Sequence, residues 1–463
     1  MNIVTRIALV KTSQVIDEYY KITVNEVPVP PLGLMYIGEC LRREGHNVKI
    51  CDQESQGLSS QEVLNWIKKR DPEILGFGPY VQTLPMALNI SKTAKDWNEN
   101  LRVVFGNIIG TFADRQLLSN YQFIDYCLRR EAELTFPQFV KMVTQSGNPK
   151  NVNGLTYREN GLIKRTPDPP LNRDLDALPI PDREALTDFD YKVGSNKYTL
   201  LASSRGCPFN CRFCAVGLVS NSRGLWRPRS LDNVLAELHF LQSRGFKELG
   251  FVDDDITINP KRTLKLCQRM RKEKIDMIWE SESRVTHATK ELLRTMRSAG
   301  CTSILFGIES GNQRVLDYLN KKITPLKSKL AVKNARKAGL ENIAGLFIVG
   351  TPHETVSDII QTMKFGLKLD LTLVIYQLLY LPIHSTLWQE AVRMGLINED
   401  RDWNRKIYAT DIFPDVVRRE ILEKLLEWVL SEFLSRPKFL LKEIFRSAKS
   451  SHRLQIAFDF LKK

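Results

Sequence analysis

No apolar run in this chain approaches the roughly 18–20 residues that a bilayer-spanning helix needs. Low-complexity tracts and repeats of 20–50 residues are also missing, which excludes fibrous and solenoid architectures. Histidine is scarce, with six in 463 residues and none between His46 and His239. A histidine-completed zinc site is thereby excluded from the middle of the chain. The opening stretch Met1–Lys11 reads as a first strand whose apolar part is too short and interrupted for a secretory signal. A cytoplasmic protein is expected. Recognition-helix and zinc-finger patterns are missing too, so the formal net charge of +14 is not assigned to nucleic acid. Either it is spread over a solvated surface, or it serves an anionic partner such as a lipid headgroup or membrane face.

What is present is the composition of a globular enzyme, 43% apolar and 26% charged, long enough for two cores. From residue 1 to about 145, short apolar runs alternate with helical patterns. Ile7–Val10, Val48–Cys51, Ile74–Phe77, Val103–Phe105 and Phe123–Cys127 are strand candidates. Leu34–Glu44, Gln61–Lys69, Ala87–Asn98 and Asp114–Leu118 are helix candidates. That alternation predicts a Rossmann-like, doubly wound parallel sheet. Residues 146–195 read as a linker, with a hairpin signal at Gly154–Tyr157 and Asn160-Gly161 and then a proline-rich connector.

Over residues 196–400 the alternation resumes, with strands expected at Thr199–Ser203, Glu248–Val252, Met277–Glu280, Ser303–Phe306, Ile343–Val349 and Leu373–Leu381. Six such units predict a partial (β/α)6 barrel, with chemistry in the loops after the strands' carboxyl ends. Residues 401–463 are helical and basic. Lys438, Lys442, Arg446, Lys449 and Arg453 share one helical face. This face either packs on the barrel or lies on an anionic membrane as a peripheral contact.

Of eight cysteines, Cys40, Cys51, Cys127, Cys267 and Cys301 sit singly in apolar surroundings and read as buried thiols. Cys207, Cys211 and Cys214 fall within Cys207-Pro208-Phe209-Asn210-Cys211-Arg212-Phe213-Cys214, immediately after a strand-like run and Gly206. In an intracellular chain that C-x3-C-x2-C spacing points to metal. Three thiolates can hold an iron–sulfur cubane and leave one iron open to a small molecule.

The motif, with Phe213 before its last cysteine, resembles the signature of the radical SAM superfamily. The resemblance implies a [4Fe-4S] cluster whose open iron is chelated by S-adenosylmethionine (SAM), which one electron then cleaves to a 5′-deoxyadenosyl radical. It further implies roles for particular positions. Asp253, Asp254 and Asp255 close the second barrel strand where relatives contact the methionine amine, although Gly-Gly-Glu is usual there; a solvated loop or a cap is the alternative. Arg284 ends the third strand and would pair with the methionine carboxylate in a fork, or else be a surface arginine. Glu309 and Ser310, in Gly307-Ile308-Glu309-Ser310-Gly311, would orient the nucleoside or the substrate. Ile348, in Gly345–Gly350, would lie near adenine. Leu381–Thr386 departs from the Pro-Gly-Thr turn expected after the sixth strand.

The first domain resembles the cobalamin-binding domain that precedes radical SAM barrels in one subfamily, and the likeness covers roughly residues 1–400. Members include the anaerobic cyclase of bacteriochlorophyll synthesis, hopanoid and tetraether-lipid tailoring enzymes, and C-methylases. Its carriers are the strand ends Leu75–Tyr80, Phe105–Thr111 and Leu128–Glu133. The likeness implies that Gly76, Gly78, Gly106, Gly110 and Thr111 cradle cobalamin. Asp-x-His-x-x-Gly is missing, so that motif offers no lower cobalt ligand. Asn107, Arg130 and Ala132 stand where relatives commonly have glycine.

Together these features predict an anaerobic enzyme that abstracts hydrogen from an unactivated carbon, with cobalamin assisting C-methylation or ring formation. The expected substrate is a lipid or isoprenoid, and the expected reductant a flavodoxin or ferredoxin. A tetrapyrrole cyclase, a cobalamin-free enzyme of the methylthiotransferase class and a non-enzymatic metal-binding protein are the alternatives.

Overall fold

A computed structural model describes residues 4–14 and 29–448, which divide into two compact units. The first comprises Met1–Tyr191 with Gly217–Ser222 and Asn398–Lys406; the second holds the rest.

In the first unit the elements run β1 (Arg6–Lys11), α1 (Leu32–Arg43), β2 (Asn47–Asp52), α2 (Ser60–Arg70), β3 (Ile74–Phe77), α3 (Leu84–Trp97), β4 (Arg102–Phe105), α4 (Asn107–Phe112), β5 (Tyr126–Leu128), α5 (Thr135–Thr144), β6 (Leu155–Glu159) and β7 (Leu162–Arg165). The sheet order is β2-β1-β3-β4-β5-β6-β7. Its first five strands are parallel, and β6 and β7 add an antiparallel hairpin. Ile7, Ala8, Leu9 and Val10 are all buried, as a central strand covered on both faces requires. Asn160 and Gly161, both at positive φ, turn the hairpin in the manner that fits its twist. Helix α2 starts on a reciprocal cap between Ser59 and Glu62. The fifth strand begins three residues later than the sequence pattern suggests. The reason is Asp125, whose carboxylate accepts from the Val103 N–H (2.7 Å) and from Lys95 (2.9 Å) and holds the preceding residues in a turn.

The second unit runs β8 (Asn196–Leu201), α6 (Leu231–Ser243), β9 (Phe246–Phe251), α7 (Pro260–Lys272), β10 (Ile278–Ser283), α8 (Lys290–Ser298), β11 (Cys301–Glu309), α9 (Gln313–Tyr318), α10 (Pro325–Ala338), β12 (Asn342–Val349), α11 (Val356–Lys368), β13 (Leu373–Leu378), then α12 (Arg419–Ser435) and α13 (Pro437–Ala448). Strands β8 to β13 form one parallel sheet in sequence order, edged by the antiparallel pair Lys192–Val193. Strands β8 and β13 do not pair with each other, so the barrel is open. Its helix-covered side is one continuous core that includes Trp279, Phe306, Phe347 and Phe433.

Helix α13 presents its faces the opposite way from the membrane expectation. Lys442 and Arg446 pair with Asp370, at 3.3 and 3.1 Å, so the basic face is engaged by the barrel. Leu441, Ile444 and Phe445 are 57%, 65% and 64% exposed. Lys449 and Arg453 lie outside the described residues. Among the described residues no helix is long and apolar enough to cross a membrane.

Candidate functional site

In the second unit the three-cysteine segment follows β8. Gly206, at φ +85°, turns the chain into it, and its N–H donates to Asp254 (3.0 Å). The segment is irregular and needs external fastening. The Arg212 N–H donates to Leu319 O (3.0 Å), and its guanidinium pairs with Glu390 over the Tyr318 ring. Arg223 donates to Cys211 O (3.2 Å) and Thr386 (2.7 Å), and Asn320 donates to Asn210 O (2.8 Å).

Burial pushes the Cys207 thiol up and the Cys214 thiol to about 11, and the other two thiols add to the shift at Cys214. Among the described residues no three His, Cys, Asp or Glu side chains converge closely enough to hold one ion. Three thiols on one loop, with no histidine in the segment, match the thiolate ligation of an iron–sulfur cluster.

The three aspartates after β9 have separate fates. Asp253 is 2% exposed and is spent on the Ser203 N–H (2.8 Å), the Ser203 hydroxyl (2.7 Å) and Ser204. Asp255 takes the Thr257 N–H (2.9 Å) and hydroxyl (2.6 Å) on one oxygen, leaving its buried Oδ2 without a partner. Asp254 is open to solvent but ringed by protein, and desolvation raises its carboxyl to about 6. An amine-bearing ligand fits Asp254 and Asp255, with an orphaned oxygen to receive it.

Arg284 is 5% exposed. Its Nη1 lies 3.6 Å from Cys211 Sγ, its Nη2 donates to Lys321 O, and its plane rests 3.8 Å from the Phe209 ring centroid. Its Nε has no partner. Glu309, at φ +61°, forms a 2.6 Å buried ion pair with Lys321, whose ammonium stands 5.8 Å from the Phe213 ring. Desolvation, and then Asp254 and Glu309, raise the Glu282 carboxyl, while Lys321 opposes them. Ser310 is fully buried and meets Thr362 (2.8 Å), which places it in the packing behind the strand end. Ile348 is buried on β12. Lys321, Arg212 and Arg223 are the partners that pattern reading missed. Arg212 lies within the cysteine motif, but its partners Leu319 and Glu390 are distant in sequence; the fold brings Lys321, and the far ends of the Arg212 and Arg223 contacts, to the segment.

The first unit holds a cavity of about 480 Å³ at the carboxyl ends of β1, β3, β4 and β5, where the order reverses between β1 and β3. Gly76, Gly78 and Gly106 line it, with Tyr80, Asn107 and Arg130. A Cβ on Gly78 would meet only ordinary contacts, the nearest 3.5 Å away at Asn107, so its missing side chain leaves open space. Gly110 and Thr111 stand behind the wall. A Cβ on Gly110 would strike Phe105 O at 2.8 Å, and the Thr111 hydroxyl accepts from the Arg130 N–H (3.0 Å). Asn107 and Arg130 both adopt positive φ, +58° and +72°. The backbone at both sites asks for the left-handed conformation that glycine takes most easily. Asn107 offsets the strain by donating to Gly78 O (3.0 Å). The glycine-flanked cavity at a sheet switch point suits a large, flat ligand such as a corrinoid.

At the sixth strand, His384 takes φ +61°, and Ser385 then caps the helix Thr386–Arg393 through the Trp388 N–H (3.2 Å). The turn keeps a left-handed residue although the sequence places no glycine there.

Residues 201–366 match the family model for the radical SAM superfamily, and residues 22–140 match that for the B12-binding domain. An uncharacterised methyltransferase of Pyrococcus horikoshii is 36% identical over 90% of each chain. The anaerobic magnesium-protoporphyrin IX monomethyl ester cyclase of Rubrivivax gelatinosus is 28% identical over 86% of this chain and 72% of its own. Among solved structures, the cobalamin-dependent SAM radical enzyme OxsB with aqua-cobalamin bound has the same fold. Its TM-score is 0.72, with 16% identity over 98% of this chain and 72% of that one.

Fold and family matches thus define an enzyme that carries an iron–sulfur centre and a corrinoid domain on one polypeptide. The chain belongs to the B12-binding radical SAM family, and its cofactors are a [4Fe-4S] cluster, SAM and cobalamin.

Proposed function

We propose that the chain abstracts hydrogen from an unactivated carbon of a lipid or isoprenoid and that the product is a C-methylated or cyclised molecule. The observation that carries the proposal is the C-x3-C-x2-C segment that Gly206 turns out of β8, with the buried Arg284 Nη1 3.6 Å from Cys211 Sγ. When bound, the cluster and SAM supply one-electron cleavage to a carbon radical, and cobalamin supplies methyl or electron transfer. The chain's own part is positional. Cys207, Cys211 and Cys214 hold iron. Asp254 and the free oxygen of Asp255 accept the methionine amine, and Ile348 flanks adenine. Gly76, Gly78 and Gly106 let the corrin approach backbone, while Gly110 and Thr111 set the wall behind it. A protein reductant of the flavodoxin or ferredoxin class supplies electrons.

Anoxic reconstitution with iron, sulfide, cobalamin and SAM tests this. The wild-type chain should hold one cluster and one corrinoid and release 5′-deoxyadenosine on reduction. Gly78→Val should lose corrinoid at least about tenfold while keeping iron, because even a few lost contacts or one clash exceed ~1.4 kcal/mol. A chain that binds no corrinoid under any loading would remove cobalamin from the proposal.

The substrate class also motivates a membrane contact for an otherwise cytoplasmic protein, made through the apolar face of α13. Its described cations Lys442 and Arg446 pair with Asp370, so binding to phosphatidylglycerol vesicles should depend weakly on salt. Replacing Leu441, Ile444 and Phe445 together by serine should cut co-sedimentation by at least about tenfold, given ~1 kcal/mol or more per apolar side chain. Equal sedimentation of wild type and variant would end this part of the proposal.

A further inference from the structure

We propose that Arg284 tunes the reduction potential of the cluster by donating an N–H···S hydrogen bond from Nη1 to the Cys211 thiolate; this rests on the cluster assignment above. The guanidinium is buried and forms no salt bridge among the described residues. A buried cation without a counter-anion is costly. The group within reach that becomes an anion is Cys211, which loses its proton when it takes iron.

The geometry holds the guanidinium in that position. Phe209 supports one face at 3.8 Å, Nη2 is tied to Lys321 O, and Nη1 faces the sulfur at 3.6 Å. Phe209 and Cys211 belong to the cysteine segment, and Lys321 is fixed in turn by Glu309 (2.6 Å). The arginine is thus bound to the cluster segment on one side and to the barrel on the other. A fork onto the methionine carboxylate would use nitrogens that already have partners, leaving only Nε wholly free.

The consequence follows from charge. One electron passes from a flavodoxin- or ferredoxin-class donor to the cluster, with no bond made or broken and no proton transferred at that step. The reduced form carries one more negative charge. A fixed cation and a hydrogen bond to a ligand sulfur stabilise that form more than the oxidised one, so both raise the potential. Arg284 keeps the centre within reach of a protein reductant.

The test is a mediated redox titration of the reconstituted full-length protein under anoxia and without SAM, read by the electron paramagnetic resonance signal of the reduced cluster. Arg284→Gln should lower the reduced-to-oxidised ratio at a fixed potential at least about tenfold, equivalent to ~59 mV for a one-electron couple. Arg284→Lys keeps the charge and should shift it less. SAM affinity is measured on the same samples from the change that SAM makes to that signal. A ratio unchanged within about twofold alongside a tenfold or greater loss of SAM affinity overturns the proposal and makes Arg284 a carboxylate clamp. Failure of both variants to retain iron overturns it as well, because the arginine would then be a latch on the segment. Wild-type protein that takes up no cluster would instead defeat the assignment beneath it.

Discussion

Cys207→Ala is expected to abolish the iron chromophore and SAM cleavage together. A change beside a metal ligand typically costs 10–100-fold in affinity or activity, and loss of one of only three thiolates should exceed that. Cys301→Ala is the matched control. Cys301 is fully buried in the barrel core, away from the segment, and should retain iron despite a packing cost. Iron content, the visible spectrum and 5′-deoxyadenosine release are read on both proteins. A Cys207→Ala protein with full iron and activity would show that Cys207 is not a ligand. Zinc in oxygen-free wild type, or a cubane with every corner held by cysteine, would defeat the mechanism. The burial that raises Cys207 and Cys214 has a further consequence. These thiols are protonated at neutral pH without metal, so assembly releases protons and should weaken as the pH falls.

Much of the architecture was legible because it is periodic. Ile74–Phe77 reads as a strand in the sequence and is one, since four consecutive buried apolar residues leave no face for solvent. The barrel strands were recognisable for the same reason, with ends off by a few residues where bulges intervene, as between Gly307 and Glu309. The superfamily was legible in the C-x3-C-x2-C spacing, because that spacing limits what chemistry the segment suits. The second layer was not. Arg212, Arg223 and Lys321 act through contacts more than 100 residues away or through irregular loops, and no local pattern distinguishes them from surface cations. Arg284 was noticed, but its partner could not be foreseen, because the direction of a guanidinium is set by tertiary packing.

The departures from glycine at Asn107 and Arg130, and the altered turn at His384, carry a related lesson; Ala132, the third expected glycine position, is not at positive φ. In the sequence each looks like loss of a motif. In the structure Asn107, Arg130 and His384 each keep the left-handed backbone that glycine would supply. Two of the three are held by local bonds, Asn107 to Gly78 O and the Arg130 N–H to Thr111. The backbone path is thus preserved while its side chains change, and the cavity wall next to Gly78 gains polar groups where glycine would leave bare peptide.

Lys321→Met should be the most destabilising single change near the cluster segment. Lys321 and Glu309 are 9% and 7% exposed at the side chain, so their 2.6 Å pair is shielded from water. Removing one member leaves an uncompensated charge, which costs about 3–5 kcal/mol, whereas replacing both members with apolar groups is often close to neutral. The cost here should sit at the upper end. Glu309 would then face Glu282 without the cation that offsets it, and its φ of +61° already carries strain. Urea unfolding of the metal-free protein measures that cost. The double variant Lys321→Met/Glu309→Met should recover most of the stability while still disturbing the Phe213 side of the segment. If the single variant unfolds at the wild-type urea midpoint, the pair is solvated in solution, and the ordered link from Glu309 through Lys321 to Arg284 is lost with it.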